Sequence, residues 1–478
     1  MKSTPWRLGI PCLLLVFNSA EAKIPYQTMS LNDAVDLALR FNPQLEIAGL
    51  NRLIQKYNLR VVKNQYEWHY ALNASSQYTW LKNPTYTQAG QTYDLQPSAT
   101  LNVASGATIN TTMNNVMVNP NGIKNASSYN PGISVDIHQP LMRGFGPAVN
   151  LSPLANAIDQ EKINQLNLKQ AVINTIVQVA LAYENVILAK QTIHIQQMTV
   201  ADVKQRIHDN SIRIHAGIMP PGDNIQATAD LANAQLGLNA AQYAYTQSRL
   251  AFLNDVGVSP HEPLDVKTTL DNPIHPLPTL ANIQAAILAN DGDYQRLIIN
   301  HRINQRNWRV ATDDQRSQVD LTLTGISGNN SGIANLVNGA HTTAAIGLNV
   351  SIPIDDVRLK QRVLTAKMQL SQDTIHLKAQ QWLLASSGIN ALNNLKSLQT
   401  QLILAKNSVD QQQKTLIIAA QKLHFGLGSA LDLSTQQKNL TQAQLIYSSS
   451  QINYFNTWLQ FRQLTGETLN DFHITIRY

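Results

Sequence analysis

Apolar residues recur at every seventh position along a long stretch in the first half of the chain. Helices that repeat in this way pack side by side along a coiled-coil seam. We therefore predict a long helix over residues 154–216, which would extend about 90 Å at 1.5 Å per residue. A helix of this length can bury its apolar positions only against other long helices. The heptad positions carry a β-branched residue six times in succession: Val172, Val179, Val186, Ile193, Val200 and Ile207.

The second half of the chain carries the same pattern and predicts a second long helix, which ends at residue 425. Its heptad positions are Leu395, Leu402, Val409 and Leu416. A shorter return helix follows each long one, over residues 223–256 and 432–465. The apolar positions of the two return helices correspond at a constant offset of 209: Leu231, Leu238, Tyr245 and Phe252 with Leu440, Tyr447, Tyr454 and Phe461.

The turns that join these helices share a sequence pattern. The stretch "RIHAGIMPPGD" begins at Arg213, and "KLHFGLGSALD" begins at Lys422, with a basic residue, histidine, glycine and aspartate at the same four places. Gly217 and Gly426 permit the left-handed conformation that commonly ends a helix. The pattern therefore predicts the same tight turn at both positions.

The aspartates that close these two stretches have two interpretations. Asp223 and Asp432 suit N-caps or first-turn acids of the return helices, so a capped helix turn explains both by local structure alone. If several subunits met at these turns, the carboxylates would instead form rings that favour cations and narrow a pore. Both interpretations stay open for Asp432, whereas capping is favoured for Asp223.

Between the helices the apolar period changes to two, which predicts β-strands. In the second half Val319, Leu321 and Leu323 alternate with Asp320, Thr322 and Thr324. One apolar face and one small, polar face is typical of a transmembrane barrel strand, although a sandwich strand has the same pattern. We predict one β-hairpin over about 69–138, with a long polar link over about 81–131, and one over about 317–353. Four strands per chain cannot close a barrel, whose practical minimum is about eight, so strands in a membrane would require oligomerisation.

The repeated segments divide the chain into two units. Besides the offset of 209, an earlier segment repeats at an offset of 249, where Arg60-Val61 matches Arg309-Val310. Internal repeats of this kind indicate that one structural unit occurs twice. The predicted organisation is as follows: a signal peptide over 1–22, repeat one over 23–257, a proline-rich connection over 258–278, repeat two over 279–467 and a C-terminal segment over 468–478.

The N-terminal segment has the features of an export signal. Lys2 and Arg7 precede a short apolar run, and Ala20-Glu21-Ala22 forms a cleavage site. Cys12, the single cysteine, lies inside this segment. Most of the apolar run follows Cys12, which disfavours lipidation without excluding it. We therefore expect an exported protein that contains no disulfide in its mature form.

Composition argues against several other classes of protein. Charged residues make up 14%, and the net charge of +6 is spread without a dense basic run, so nucleic-acid binding is not expected. The mature sequence contains no run of 18 consecutive apolar residues, so we do not predict a membrane-spanning helix. No metal-binding helix motif, phosphate loop, dinucleotide fingerprint or nucleophile elbow is present, so we expect no enzyme, no metal and no cofactor. A stripe of His194, His208 and His215 leaves metal binding as a minor alternative to a solvated helix face.

The chain resembles the TolC-like outer-membrane efflux and secretion channels. The resemblance is carried by "SLNDAVDLALRFNPQL", by "HQPLMRGFG" and by both turn stretches, and it covers nearly the whole mature chain. It implies a mainly α-helical homotrimer whose coiled-coil hairpins form a periplasmic tunnel. Three chains of four strands each would supply a twelve-stranded barrel in contact with outer-membrane lipids. Most of the mass would lie in the periplasm.

The resemblance also implies a function and the residues that carry it. The protein would be the passive exit duct of a tripartite efflux pump or a type I secretion system. Its partners would be a periplasmic adaptor (membrane fusion) protein and an inner-membrane pump or ABC exporter. Asp432 and Asp223 would line the channel constriction. The adaptor would dock at the helix tips through four residues: Arg213, Gly217, Lys422 and Gly426.

Three departures from the family pattern bear on the gate. Thr435 occupies a second acidic position of the constriction, and Gly428 occupies that of a basic gate residue. A gate in this chain would therefore carry less charge. Pro220-Pro221 would stiffen the first turn. The alternative function is a periplasmic adaptor or a coiled-coil interaction protein of a transport assembly, and the cargo, drugs or proteins, stays open.

Overall fold

The computed structural model describes residues 28–82, 87–121, 128–267, 274–328, 341–476 and 478. The expected signal peptide, with Cys12, lies outside these residues, as do residues 268–273 of the expected connection. Helices account for most of the described chain, and the strands form one large sheet and one short parallel pair.

The first half begins with two short helices and ends with two long ones. Its elements are β1 (Thr28–Met29), α1 (Leu31–Phe41), α2 (Pro43–Asn64), β2 (His69–Lys82), β3 (Thr87–Asn102), β4 (Thr108–Asn121), β5 (Ser128–Pro140), α3 (Pro147–Asn150), α4 (Ser152–His215) and α5 (Gly222–Val256).

The second half repeats this order with one fewer pair of long strands. Its elements are β6 (Asp265–Val266), α6 (Leu280–Asn290), α7 (Gly292–Asp313), β7 (Gln318–Gly328), β8 (His341–Ser351), α8 (Val357–His424), α9 (Ala430–Thr465) and α10 (Thr468–Asp471). The corresponding helices have nearly equal lengths: α1 and α6 have 11 residues each, α2 and α7 have 22 each, α4 and α8 have 64 and 68, and α5 and α9 have 35 and 36.

The break between the two short helices of each half is made by a polar cap. Asn42 ends α1, and its side-chain oxygen accepts a hydrogen bond from the Gln44 N–H at 2.9 Å, at the start of α2. Asp291 plays the same part between α6 and α7, where its carboxylate accepts from the Tyr294 N–H at 2.6 Å. The side chain satisfies a backbone donor that the helix itself cannot.

Each return helix ends against this break. Gly257 follows α5 at φ +85°, and a Cβ there would lie 2.3 Å from the Phe41 carbonyl oxygen. Gly466 follows α9 at φ +77°, and a Cβ there would lie 2.3 Å from the Asn290 side chain. Both positions therefore require glycine for conformation and for space. Asn42 also donates to the Asp255 carbonyl oxygen at 2.6 Å, which fixes the end of α5 to the start of α2.

The helices pack around α4. One buried cluster joins α1, α4 and α5 with the β1–β6 pair, and it contains Tyr183, Val186 and Phe252. A second joins α6, α8 and α9, and a third joins α4 to α9. The stretch Pro147–His215 is long and apolar enough to cross a membrane by length and composition, but 67% of its most apolar window is buried inside the chain. Burial of this kind is what a core helix shows.

The large sheet has six antiparallel strands in the order β2-β3-β4-β5-β7-β8. The expectation of four strands per chain, with a long loop over about 81–131, is therefore wrong for the described residues. The link contains β3 and β4, which pair with each other and with their neighbours on either side. Its Asn- and Thr-rich composition suggests a loop, but threonine also suits a strand whose other face is apolar. Tyr93 and Leu95, which alternate with Asp94 and Gln96, are the signal that identifies β3.

Candidate functional site

The two turns that join the long helices to their return helices have the same backbone geometry. Gly217 lies at φ +70° and Gly426 at φ +72°. The N–H of the residue after each glycine donates to the carbonyl oxygen five residues earlier, from Ile218 to Arg213 at 2.9 Å and from Leu427 to Lys422 at 2.8 Å. This is the bond of a Schellman helix end. A Cβ at either glycine would meet open space, so it is the positive φ that favours glycine.

The two turns differ in how the return helix begins. Ser429 is the N-cap of α9, and its hydroxyl accepts from the Asp432 N–H at 3.0 Å. Asp432 is therefore a first-turn acid rather than the N-cap, and its side chain is exposed. In the first turn α5 begins after Pro221 without a side-chain cap. Asp223 is the second residue of α5, and its side chain lies outside what the structure describes.

The predicted basic residues of the turns have different surroundings. Arg213 reaches from the end of α4 to the last turn of α8, where its guanidinium donates to the Leu423 carbonyl oxygen at 3.4 Å. A cation is favourable at the C-terminal end of a helix, whose last carbonyl groups lack helical partners. Lys422 is exposed at the equivalent position of the second turn. The structure thus places Arg213, Gly217, Lys422 and Gly426 on two adjacent tips, with Arg213 joining them.

Exposed apolar side chains surround both tips, and we call them the tip patch. Ile218 is 77% exposed, and Leu427, at the equivalent position after the second glycine, is 79% exposed. Sequence reasoning missed this patch, although an apolar residue after each glycine was a visible signal. Exposed apolar patches on a folded protein mark surfaces for partners. The other members of the tip patch are Ile212, Ile225, Phe425 and Leu431.

A buried ionic cluster near the tips joins the two helical hairpins, and we call it the Asp230 cluster. Asp230 of α5 is only 4% exposed. Its carboxylate accepts hydrogen bonds from Lys438 of α9 at 2.8 Å and from the hydroxyl of Ser434. The guanidinium of Arg206 on α4 lies 3.6 Å from the same carboxylate. A sequence separation of 204 residues between Asp230 and Ser434 hides this contact from motif reading.

The electrostatics of the cluster favour the ionised carboxylate. Burial alone would raise the pKa of Asp230, but the hydrogen bonds from Lys438 and Ser434 outweigh burial and lower the pKa below its usual value. Burial lowers the pKa of Arg206, and the charge of Asp230 opposes that shift. A buried charge of this kind is costly when its partner is removed. The cluster therefore ties α5 to α9 close to the two turns.

The outer face of α8 has no partner in the described part of the chain, whereas the equivalent face of α4 is covered. Ile173 of α4 is 4% exposed and packs near Leu459 of α9. Trp382, 209 positions further on in α8, is 74% exposed. Leu250 of α5, the equivalent of Leu459, is exposed as well. Within the chain, the α4 face therefore packs against α9. The equivalent faces of α8 and α5, which could form a second contact of the same type, are both exposed.

The model of the outer membrane efflux protein family matches residues 89–257 and 284–467, which include both helical hairpins. The chain belongs to the outer membrane efflux protein family. Two stretches match, one in each half: the first ends at Gly257, directly after α5, and the second ends at Glu467, two residues after the end of α9. The chain is therefore an outer-membrane efflux channel protein and not an enzyme.

Relatives and solved structures of the family agree with this membership. The chain is 22% identical to the outer membrane efflux protein BepC of Brucella suis biovar 1 (strain 1330) over 314 residues, which are 66% of this chain and 67% of BepC. The outer membrane protein VceC of Vibrio cholerae matches with a TM-score of 0.67 at 15% identity, over 91% of this chain and 96% of VceC. The open-state outer membrane channel MtrE of Neisseria gonorrhoeae matches with a TM-score of 0.68 at 16% identity, over 92% and 89%. The structural matches show that the family fold is shared.

The histidine stripe does not form a cation site in the described part of the chain. Among those residues, no group of three His, Cys, Asp or Glu side chains is placed to hold a metal ion. His194, His208 and His215 lie along α4 and belong to no such group in these residues.

Proposed function

We propose that this protein is the passive exit duct of a tripartite efflux pump or a type I secretion system, assembled as a homotrimer. The sheets of three copies form a barrel in the outer membrane, and the helical hairpins form a tunnel through the periplasm. The duct binds no cofactor and performs no chemistry. Its function is a continuous aqueous path that closes at the helix tips.

The observation that carries this proposal is the unequal covering of equivalent helix faces. The face of α4 that contains Ile173 packs against α9 inside the chain, whereas the face of α8 that contains Trp382 is bare. On the opposite flank α5 exposes Leu250, which is the counterpart of the residue that packs in the α4–α9 contact. If α8 of one copy packs against α5 of the next, this contact between copies is equivalent to the α4–α9 contact within each chain. Such heterologous contacts generate closed rings when the rotation closes.

The tip patch supports docking of a periplasmic adaptor protein. Ile218 and Leu427 project from two turns of identical geometry, at the end that lies farthest from the sheet. Their exposure leaves apolar surface for the tips of an adaptor. Arg213, Gly217, Lys422 and Gly426 set the shape of this surface, and the adaptor connects the duct to an inner-membrane pump or ABC exporter. Cargo selection then belongs to the pump.

Reconstitution in a planar bilayer tests the duct. The purified protein is expected to form trimers by native mass spectrometry and to give discrete conductance steps. Restoration of drug resistance or of protein secretion in a strain that lacks its efflux ducts distinguishes the two pump classes. A protein that stays monomeric in detergent and bilayer and never conducts would contradict the proposal.

The constriction is a separate part of the proposal. The carboxylate of Asp432 is exposed in the first turn of α9, so three copies would place three such groups around the axis. We expect Asp432→Asn to lower cation selectivity and block by polyvalent cations. The control is Asp410→Asn, which makes the same charge change at an exposed position of α8, away from the turn. If both variants had the same cation selectivity, Asp432 would act only as an acidic residue in the first turn of α9 and not in a constriction. The same measurement on Asp223→Asn tests the first turn.

A further inference from the structure

The six-stranded sheet, rather than a four-stranded one, determines how wide the outer-membrane part of this duct can be. Each inner strand of the sheet pairs on both sides, so among the described strands of this sheet β2 and β8 are the two with free edges. β2 runs away from the helices and β8 runs back towards them, because β2 follows α2 and β8 precedes α8. The β8 edge of one copy can therefore accept the β2 edge of the next in the antiparallel sense used by every other neighbour in the sheet.

β3 has the same two faces as β2, one apolar and one polar. Tyr93 of β3 is paired with Met117 of β4, and both are exposed on the apolar face of the sheet. Asp94 and Gln96 of β3 lie on the opposite face, where they are paired with Ser75 and Asn73 of β2. The apolar and polar faces of β2 thus continue into β3, and Met117 extends the apolar face to β4. A hairpin that projected into water would have no need of an apolar face.

Side chains on the polar face bond to one another between neighbouring strands. The Thr100 hydroxyl of β3 bonds to the Asn110 side chain of β4 at 3.0 Å. On β7 the Thr324 hydroxyl donates to the Asp136 carboxylate of β5 at 2.8 Å. Polar groups bonded to one another in this way suit a water-filled interior and not lipid.

The turn between β3 and β4 is fixed at the helix side of the sheet. The Gly146 N–H donates to the Ser105 carbonyl oxygen at 2.9 Å, and the Ser105 hydroxyl bonds to the Gln139 side chain at 3.0 Å. Gly106 lies at φ +96°, and a Cβ there would be 2.3 Å from the Gly144 carbonyl oxygen. The additional hairpin is therefore seated on the same base as β5 and the start of α4, as a wall strand would be.

The exposed apolar area is largest at the two free edges. On β2, Tyr70 and Leu72 are 78% and 68% exposed, and on β8, Ile346 and Leu348 are 79% and 64% exposed. On the inner strands Tyr93 is 44% exposed and Ile133 is 37% exposed, because neighbouring strands cover part of each side chain. If the β2 and β8 edges of neighbouring copies paired, the exposed fractions of the side chains on these edge strands would fall to those of the inner strands.

We propose that β3 and β4 are wall strands and that three copies close a barrel of eighteen strands, three times six, in place of the twelve that the family resemblance implies. This inference rests on the proposed trimeric duct. Barrel diameter grows roughly linearly with strand number, so the barrel would be about 1.5 times as wide and about twice as large in cross-section as one of twelve strands. Barrels of 16–18 strands leave an open aqueous channel. The outer-membrane segment of this duct is then adapted to a bulky cargo.

Single-cysteine labelling tests whether β3 is in the wall. Because Cys12 is the only native cysteine, a Cys12→Ser background leaves each introduced thiol alone. The test variants are Tyr93→Cys, Asp94→Cys, Leu95→Cys and Gln96→Cys, and the reference pair on β2 is Leu72→Cys and Asn73→Cys. The protein is reconstituted in phosphatidylcholine vesicles and treated with a membrane-impermeant charged maleimide, and its copy number is counted by native mass spectrometry.

The outcomes separate this inference from the proposed function. We expect at least tenfold faster labelling of the Asp94 and Gln96 positions than of the Tyr93 and Leu95 positions, in step with Asn73 and Leu72, in a particle of three copies. Equal fast labelling at all four β3 positions, with alternation kept on β2, would overturn the wall assignment and leave the duct intact. Two copies per particle would overturn the eighteen-strand count. Loss of alternation on β2 as well would overturn both the inference and the duct.

Discussion

The two helical hairpins, α4–α5 and α8–α9, have the same turn and nearly the same length, yet their long helices are buried to very different extents. Twenty residues of α4 are buried and only eight of α8. The repeated sequence therefore encodes the hairpin and its turn, whereas the position of each long helix in the packing of the chain decides what covers its outer face. α4 lies in the middle of the chain's packing, whereas α8 lies at its edge. The difference predicts which substitutions affect folding and which affect assembly.

The largest expected effect compares Ile173 with Trp382, at equivalent positions of α4 and α8. Ile173→Asp buries an uncompensated charge in the chain's own core and should cost about 4–5 kcal/mol or more, which prevents accumulation of folded protein. Trp382→Asp should leave the monomer folded, since that side chain is exposed, but should abolish the proposed trimer. Circular dichroism melting and mass photometry measure the two effects. If Trp382→Asp formed a trimer of normal stability, the exposed face of α8 would not be the surface used for assembly.

The next effect compares Asp230 with Asn439, its equivalent in α9. Asp230→Asn leaves Arg206 without its buried counterion and should cost about 4 kcal/mol, in the range for breaking a buried ion pair. Asn439→Ala should cost almost nothing because Asn439 is exposed. Urea unfolding gives both values. The contribution of Asp230 should also disappear in acid, since its lowered pKa means that its stabilisation is present above the unfolded pKa and is lost as pH falls through the folded pKa.

Glu184 of α4 gives a third effect with the opposite dependence on pH. Burial raises the pKa of Glu184 from 4.5 to about 7, so the unfolded chain releases its proton at lower pH than the folded chain does. Stability therefore falls as pH rises from about 4.5 to about 7. Glu184→Gln removes this titration and should stabilise the protein by about 3 kcal/mol at pH 8, and by almost nothing at pH 4.

Glu161, on the same helix, is the control for Glu184. The hydrogen bonds from Arg52 lower its pKa, so Glu161→Gln should destabilise the protein at pH 8 instead. Midpoints of urea unfolding at the two pH values measure both variants. A stabilisation by Glu184→Gln that is the same at pH 4 and pH 8 would show that the buried carboxyl is not the cause.

The smallest effect compares the starts of the two return helices. Ser429→Ala removes the cap of α9 and should cost about 1 kcal/mol, seen as faster amide hydrogen exchange in the first turn of that helix. Pro220→Ala, at the equivalent position of the first turn, removes no cap and should leave exchange at the start of α5 nearly unchanged. Equal acceleration in both variants would mean that the two turns do not differ in this respect.

Local patterns predicted the parts of the fold that are determined locally. The heptads locate α4 and α8, and Gly217 and Gly426 locate the turns, because helix packing and helix ends depend on nearby residues. The strands β3 and β4 escaped prediction because their polar face is rich in residues that also form loops. The Asp230 cluster escaped for another reason, since it is formed by residues that are distant in sequence and meet only after both hairpins have packed.

The seating of Gly257 and Gly466 has a mechanical consequence. Each of these glycines presses against the break between two short helices, so each return helix is clamped at that end, whereas its other end is the tip. A helix of about 35 residues is roughly 50 Å long, and a tilt of about 5° at the clamp would displace its tip by about 5 Å. Each return helix therefore pivots at its glycine end, and a small rotation there produces its largest displacement at the helix tip.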